Sequence, residues 1–246
     1  MSSDGIDVQA GGPEIRKREP AFNLPGSLVF VLGLLTLIHL VRTYLLSAST
    51  DEYVLLTFGF IPGRYAIPFA EQDYGWLWSP ITYSLLHGGW EHLIFNAFWM
   101  IAFGAPVVRR IGLLRFFLFW CLSAAAAVAF HTALHWGAMI LVVGASGVVS
   151  GLMGAAARFV FSPSGRISRQ FAHHNRRLSI PEALSNRSVL VFSGIWFLTN
   201  FLIGFGQIFG SVAGGAIAWE AHIGGFLFGF LFFPIFDVAS AENRRD

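Results

Sequence analysis

The motif Gly144-Ala145-Ser146-Gly147 is the stretch of this sequence best placed to do chemistry. It lies within the longest run that lacks Asp, Glu, Lys and Arg, residues 116–157. As one helix, rising about 1.5 Å per residue, this run would be about twice as long as a hydrocarbon core is thick. The run must therefore turn back once, and the motif is the place that permits it. We expect Ser146 at, or slightly below, a membrane surface.

A helix that begins near Ser146 would give its hydroxyl group a suitable setting. The free backbone N–H groups and the positive dipole end of a helix N-terminus favour a developing anion. The predicted helix, 146–161, would be only about 24 Å long, which is short for a full crossing. Such a helix places its first residue inside the membrane.

A candidate base follows in a second glycine-rich cluster. His222, Gly225 and Gly229 fall at positions i, i+3 and i+7, on one face of a helix. The Gly-x-x-x-Gly spacing lets two membrane helices touch backbone to backbone.

The serine-bearing helix offers a matching surface through Gly147 and Gly151. Packing the two glycine faces together would bring His222 close to Ser146. A serine within hydrogen-bonding reach of a histidine is the minimum requirement for nucleophilic acyl transfer.

A third cluster contains two possible hydrogen-bond donors. His92 and Asn96 are i, i+4 neighbours on one predicted helix and can direct two N–H groups at one point. Two donors beside a nucleophile form the outline of an oxyanion hole.

Each motif also has a purely structural interpretation. A lone Gly-x-Ser-Gly in an apolar run usually serves helix packing, and an intramembrane His or Asn more often makes an interhelical hydrogen bond. His87, His92 and His222 could ligate a metal. However, the sequence contains no HExxH motif, and no acidic residue lies on the same helix faces as these histidines, which makes a metal site the weaker interpretation. We predict no metal and no cofactor. The agreement of three clusters on one side of the membrane favours catalysis.

Four further histidines are predicted to be structural or solvated: His131, His135, His173 and His174.

Composition determines which elements carry these residues. With 55% hydrophobic and 12% charged residues, the chain is far more apolar than a soluble domain, and the excess comes in blocks of membrane-spanning length. Its one cysteine excludes an intramolecular disulfide and a thiolate metal cluster. We predict an all-α polytopic membrane protein with helices at about 28–46, 90–108, 116–135, 146–161, 188–205 and 218–236.

The domain organisation is simple. We expect a polar tail at 1–25, a six-helix domain at 26–237 and a second tail at 238–246. The connection 47–78 is long and rich in prolines, glycines and interface-type aromatics, so we expect it to be ordered and partly embedded in the membrane.

The positive charges predict the topology. Of sixteen Lys and Arg residues, all but Arg42 and Arg64 fall on the side of the two tails, the turn at 109–115 and the connection at 158–187. This strong bias places both termini in the cytoplasm. Ser146 then opens its helix from the non-cytoplasmic side.

The three motifs together resemble the rhomboid family of intramembrane serine proteases. Gly144 to Gly147 matches the family's GxSG motif, His92 to Asn96 its HxxxN motif, and Ala221 to Gly229 its AHxxGxxxG motif, in the expected order on helices two, four and six. The resemblance covers about residues 28–236 and implies a six-transmembrane-helix bundle of the compact bacterial type.

The resemblance also implies an activity. Ser146 and His222 would form a catalytic dyad, with His92, Asn96 and the Ser146 backbone N–H as oxyanion donors. Substrates would be single-span membrane proteins cut in or near their transmembrane helix. They would enter laterally past helix five, 188–205, and a capping segment at 207–215. The enzyme would lie in the bacterial inner membrane with its site on the non-cytoplasmic side, and no nucleic-acid partner is expected.

Two positions depart from the family pattern. Well-studied members carry a tyrosine that stacks on the catalytic histidine four residues after the serine, where this chain has Ser150. Many members carry Trp-Arg in the first outer loop, where this chain has Trp78-Ser79. The first departure leaves open what orients His222, and the second leaves open how the loop is anchored.

Two other classes of function remain open from the sequence. A catalytically silent rhomboid-like protein would keep the fold and bind client helices. A channel or transporter would need intramembrane charge pairs or duplicated broken helices, which we do not find. The oligomeric state, the substrate and the order of the 162–187 connection stay undetermined.

Overall fold

The computed structural model describes residues 24–162, 172–209 and 218–237. Residues 1–23 and 238–246 of the predicted tails, 163–171 of the basic connection, and 210–215 of the predicted capping segment lie outside these ranges. The α-helices of the described ranges are α1 (Gly26–Tyr44), α2 (Ala48–Phe58), α3 (Gly75–Thr82), α4 (Trp90–Trp99), α5 (Ala105–Ile111), α6 (Leu113–Leu134), α7 (Ser146–Ala157), α8 (Ile180–Ser185), α9 (Arg187–Phe209) and α10 (Trp219–Phe236).

Four helical segments in these ranges are long and apolar enough to cross a membrane: α1, Trp90–Ile111, α6 and α10. Two more apolar segments, α7 and Arg187–Leu202 of α9, are shorter. These six segments follow the order predicted from the sequence. The number of crossings and the orientation of the termini remain predictions.

A π-helical turn, Met100–Gly104, joins α4 to α5 into one element. Pro106 lies in the first turn of α5 and has no backbone N–H to donate to the preceding turn. A π-turn accommodates such a break without ending the helix. Gly104 lies there against Leu28 of α1 and Leu152 of α7, so the segment packs closely on the central helix.

Helix α7 is central and shorter than predicted. Every residue from Gly147 to Ala157 is buried, so protein surrounds the helix on all sides. It ends at Ala157 rather than Phe161 because the next residue, Arg158, turns its buried side chain to the Leu178 carbonyl, and the Arg158 carbonyl accepts a backbone hydrogen bond from the Leu178 N–H. At 12 residues, α7 is about 18 Å long.

The connection between α1 and α4 contains α2, α3 and short 3-10 turns. The Trp78 indole N–H donates to the Thr57 carbonyl at 3.0 Å, which ties α3 to α2. Phe60 and Val142 form an isolated antiparallel bridge, with N···O distances of 3.0 and 2.8 Å. These contacts anchor the connection between α1 and α4.

At the opposite end from Ser146, two arginines converge on one carboxylate. Asp237, whose side chain is fully buried, accepts from Arg110 at 2.9 and 3.0 Å and from Arg177 at 2.8 Å. Arg110 also donates to the carbonyls of His173 and Asn175. The cluster joins the end of α5, the end of α10 and the segment before α8.

Candidate active site

Ser146 and His222 lie within hydrogen-bonding distance, as their motifs predict. The Ser146 Oγ is 2.8 Å from Nε2 of His222. Ser146 is the first residue of α7, and His222 lies in the first turns of α10. The first backbone hydrogen bond of α7 runs from the Val149 N–H to the Ala145 carbonyl. The earlier N–H groups therefore have no partner within the helix.

Glycine contacts between α7 and α10 set this distance. A Cβ atom on Gly225 would overlap the Gly147 carbonyl, and one on Gly229 would overlap the Gly151 carbonyl. The two Gly-x-x-x-Gly faces thus meet backbone to backbone, as their spacing predicts. Since backbone atoms fix the separation of the helices, the Ser146–His222 distance does not depend on flexible side chains.

The other ring nitrogen of His222 faces a residue that sequence reasoning missed. Nδ1 of His222 lies 2.7 Å from Oδ1 of Asn200 in α9. The Asn200 Nδ2 donates to the Trp196 carbonyl of its own helix at 2.8 Å, which turns the amide oxygen towards the histidine. An oxygen there accepts a hydrogen bond only from a protonated Nδ1. The Nε2 lone pair then faces Ser146.

Aromatic packing sets the register of α9 against α10. The rings of Trp196 and Phe226 stack with centroids 4.5 Å apart and planes 21° apart. Gly204 lies against the indole of Trp219, where a side chain would collide. Asn200 lies between these two contacts along α9 and is itself buried. The sequence shows Asn200 as a polar residue in an apolar helix, but it does not show that His222 is its partner.

His92 and Asn96 lie in α4, on the serine side of the bundle. The His92 ring packs against Gly144, whose positive φ of 125° and lack of a side chain leave room for it. The buried Asn96 donates through Nδ2 to the His92 carbonyl at 2.8 Å. The structure therefore places the His92 ring beside the loop that leads into α7, while the donor roles of both residues remain predictions.

The loop before Ser146 is fixed by two further contacts. The Gly144 N–H donates to the Tyr83 carbonyl at 3.0 Å. The Ala145 N–H points at Nε2 of His87, 3.4 Å away. The buried Tyr83 hydroxyl donates to the Ala124 carbonyl of α6 and lies beside Gly147. These contacts hold the start of α7 between α3, α4 and α6.

One group of possible metal ligands lies on a different face of α10. His131, His135 and Glu220 have ligand atoms that all lie within 4.8 Å of one another. These two histidines, which the sequence suggested to be structural or solvated, contact the same carboxylate.

The chain is similar to a known protein family and to named proteins of that family. A family model described as "Rhomboid domain" matches residues 74–237, more than half of the 246-residue chain. The "Rhomboid protease GlpG" of Yersinia pestis (strain Pestoides F) is 22% identical over 200 residues, covering 81% of this chain and 60% of that protein. The "Rhomboid protease GlpG" of Serratia proteamaculans (strain 568) is 29% identical over 164 residues, covering 67% of this chain and 50% of that protein. The matched region thus spans 50–60% of the length of these relatives.

Proposed function

Because the chain belongs to the rhomboid family, an all-helical family of membrane proteins, we propose that it is an intramembrane serine endopeptidase. Its substrates are single-span membrane proteins cut in or near their transmembrane helix. The observation that carries the proposal is the 2.8 Å separation of the Ser146 Oγ and His222 Nε2 at the start of a buried helix. The protease names of its relatives support the same activity.

The first half of the reaction forms an acyl-enzyme. As the Ser146 Oγ attacks the peptide carbonyl carbon, its proton moves to Nε2 of His222. The tetrahedral intermediate collapses when the same proton passes to the leaving amine. The C–N bond then breaks, and the carbonyl carbon stays bonded to Ser146. A water molecule, deprotonated by His222, then attacks the ester carbon. The C–O bond to Ser146 breaks, and the proton on His222 passes to the serine oxygen.

Asn200 acts here as a positioning residue. Its amide oxygen accepts from Nδ1 of His222, so Nε2 has the lone pair that a general base needs. When Nε2 gains the serine proton, the imidazole becomes cationic, and a hydrogen bond to a charged group is stronger than one to a neutral group. Asn200 therefore supplies the orientation that the ring at position 150 supplies in other members.

The oxyanion is stabilised by the start of α7 and its neighbours. The Ser146 N–H lies at the positive end of the helix dipole. His92, which packs against Gly144, and Asn96, one turn further along α4, are the side-chain donors. Asn96 would exchange its bond to the His92 carbonyl for the oxyanion when substrate binds.

The distribution of positive charge supports an assignment of the side of the membrane that the active site faces. Fourteen of the sixteen Lys and Arg residues lie on the side that we assign to the cytoplasm, together with both termini. Ser146 then faces the non-cytoplasmic side of a bacterial inner membrane. Substrate helices approach past α9, which forms the outer wall beside His222.

A substitution of the nucleophile tests the assignment. The Ser146→Ala protein, purified and reconstituted with a single-span substrate, should show no cleavage, because the substitution removes the hydroxyl group that lies 2.8 Å from Nε2 of His222. The control is Thr199→Ala, which removes an exposed hydroxyl group that bonds only to its own helix. Cleavage by the purified Ser146→Ala protein would overturn the proposal.

Labelling by a fluorophosphonate separates catalysis from client binding alone. We expect covalent labelling of the wild-type protein at Ser146 and none in Ser146→Ala. An unlabelled wild-type protein that still binds substrate helices would identify a catalytically silent member of the family instead.

A further inference from the structure

A second cluster of polar side chains lies on the far face of α10. Residues two apart on a helix point about 200° apart, so Glu220 lies on the opposite side of α10 from His222. There Glu220 meets α6, not α7 or α9. We propose that His131, His135 and Glu220 bind one Zn²⁺ ion, which clamps the end of α6 to the start of α10.

The donor set fits zinc. Two imidazoles and one glutamate are a known three-ligand set for Zn²⁺, which leaves a fourth position for water. His131 and His135 are four residues apart at the C-terminal end of α6, which places both rings on one side of that helix, with centroids 4.5 Å apart. Mg²⁺ and Ca²⁺ prefer sets made of oxygen ligands and fit this site poorly.

The two contacts between the histidines and Glu220 are close to the spacing of ligands around an ion. Ligands held about 2.0–2.1 Å from a tetrahedral ion lie about 3.3–3.4 Å apart. Nδ1 of His131 lies 3.3 Å from one oxygen of Glu220, which is beyond the usual range for an N–H···O bond. Nε2 of His135 lies 2.9 Å from the other oxygen. The three ligand atoms lie within 4.8 Å of one another, so the side chains must draw together around the ion.

Hydrogen bonding alone accounts for the cluster less well. Glu220 and His131 are both buried, and burying a carboxylate is costly unless a cation compensates its charge. A neutral imidazole pair therefore leaves a buried charge uncompensated. A divalent cation compensates the carboxylate and needs neutral histidines.

The ion has a route to the site. The side chain of His135 is 33% exposed, whereas those of His131 and Glu220 are 3% and 10% exposed. The open side is therefore the His135 side, at the end of α6, on the same end of the bundle as Ser146. This site revises the sequence-based expectation that the chain binds no metal, and it is independent of the proposed protease activity.

The test is a metal titration of the full chain, purified in detergent without a histidine tag and stripped with a chelator. We expect one Zn²⁺ per chain by calorimetry and an increase in melting temperature on adding Zn²⁺. Co²⁺ should give the visible absorption of a tetrahedral site. His135→Ala and Glu220→Gln should each weaken binding by at least about 100-fold, because even the loss of an outer-sphere partner costs 10- to 100-fold.

The matched control is His174→Ala, which removes an exposed imidazole elsewhere and should bind as the wild type does. His135 was chosen for substitution because its exposed ring contributes little to packing. Equal binding by the wild type and Glu220→Gln would overturn the proposal. A wild-type protein that does not bind one Zn²⁺ per chain would also overturn the proposal. This outcome can be measured even if a variant fails to fold.

Discussion

At the scale of single residues, the candidate site depends on which ring nitrogen of His222 is protonated. Ser146 needs a lone pair on Nε2, and only an acceptor at Nδ1 secures that tautomer. Asn200 can be that acceptor because its own N–H group is already bonded to the Trp196 carbonyl. The orientation of the amide is therefore part of the proposed mechanism.

Removing this acceptor should slow the chemical step. For Asn200→Leu we expect kcat to fall by about 10- to 150-fold with little change in KM, because a hydrogen bond to a charged group contributes about 1.5–3 kcal/mol. The rate of fluorophosphonate labelling should fall in parallel. Asn200→Asp keeps an acceptor and should restore most of the rate.

The control is Thr199→Ala, next to Asn200 and exposed. If Asn200→Leu and Asn200→Asp lost activity equally while both stayed folded, Asn200 would be a packing residue and not a positioning one.

A second substitution concerns the oxyanion. Loss of one donor typically costs about 10²–10³ in rate. We expect Asn96→Ala to be slower by this amount but still active, since His92 and the Ser146 N–H share the charge. Unchanged turnover of a purified transmembrane substrate would reduce Asn96 to its observed role, a bond to the His92 carbonyl.

At the scale of helices, the contact between α7 and α10 holds the two reacting groups together. Its main features were predictable, because glycines at i and i+4 on both helices allow only a close backbone contact. The partner of His222 on α9 was not predictable. The register of α9 depends on the stacking of Trp196 on Phe226, and one aromatic pair among many has no signature in sequence spacing.

A methyl group in this contact should separate the helices. In Gly229→Ala the new Cβ would meet the Gly151 backbone, which cannot move aside as a side chain can. We expect a loss of about 1–3 kcal/mol in the free energy of unfolding. A displacement of about 1 Å at the site would lower kcat by about 100-fold. Thermal unfolding and turnover in detergent measure both effects.

Gly33→Ala in α1 provides the comparison. No atom lies within 4 Å of the Cβ that it would add. We therefore expect only the higher helix propensity of alanine to matter, which would raise the free energy of unfolding by up to about 1 kcal/mol. A Gly229→Ala protein as stable and active as Gly33→Ala would show that the two helices tolerate a wider spacing.

At the scale of the whole molecule, the end opposite the site is held by buried charge. The sequence indicated a basic connection there and left its order undetermined. The structure buries Arg158 against the Leu178 carbonyl and brings Arg110 and Arg177 to Asp237. Charge patterning could not reveal this, because the carboxylate that pairs with Arg110 lies 127 residues away in sequence.

Removing that carboxylate should destabilise the fold. In Asp237→Ala the buried Arg110 side chain and the partly buried Arg177 side chain lose this carboxylate, and breaking a buried pair in this way typically costs about 3–5 kcal/mol. Chemical denaturation in detergent measures the loss.

The comparison is Glu182→Gln, because Glu182 forms an exposed pair with Arg176, which lowers the pKa of Glu182 to about 2. Water screens this pair, so we expect little change in stability. If both substitutions lowered the free energy of unfolding equally, the burial of Asp237 would not contribute to stability.

The separation of Ser146 and His222 along the chain has a consequence for synthesis. The two residues are 76 positions apart, so the ribosome makes the serine well before its base. α7 is about 18 Å long and lies among other helices, and its glycines lack their backbone contacts with Gly225 and Gly229 until α10 has entered the membrane. A nascent chain that ends before α10 should therefore contain an inert serine. Hydrolytic competence should appear only when the last of these helices is inserted.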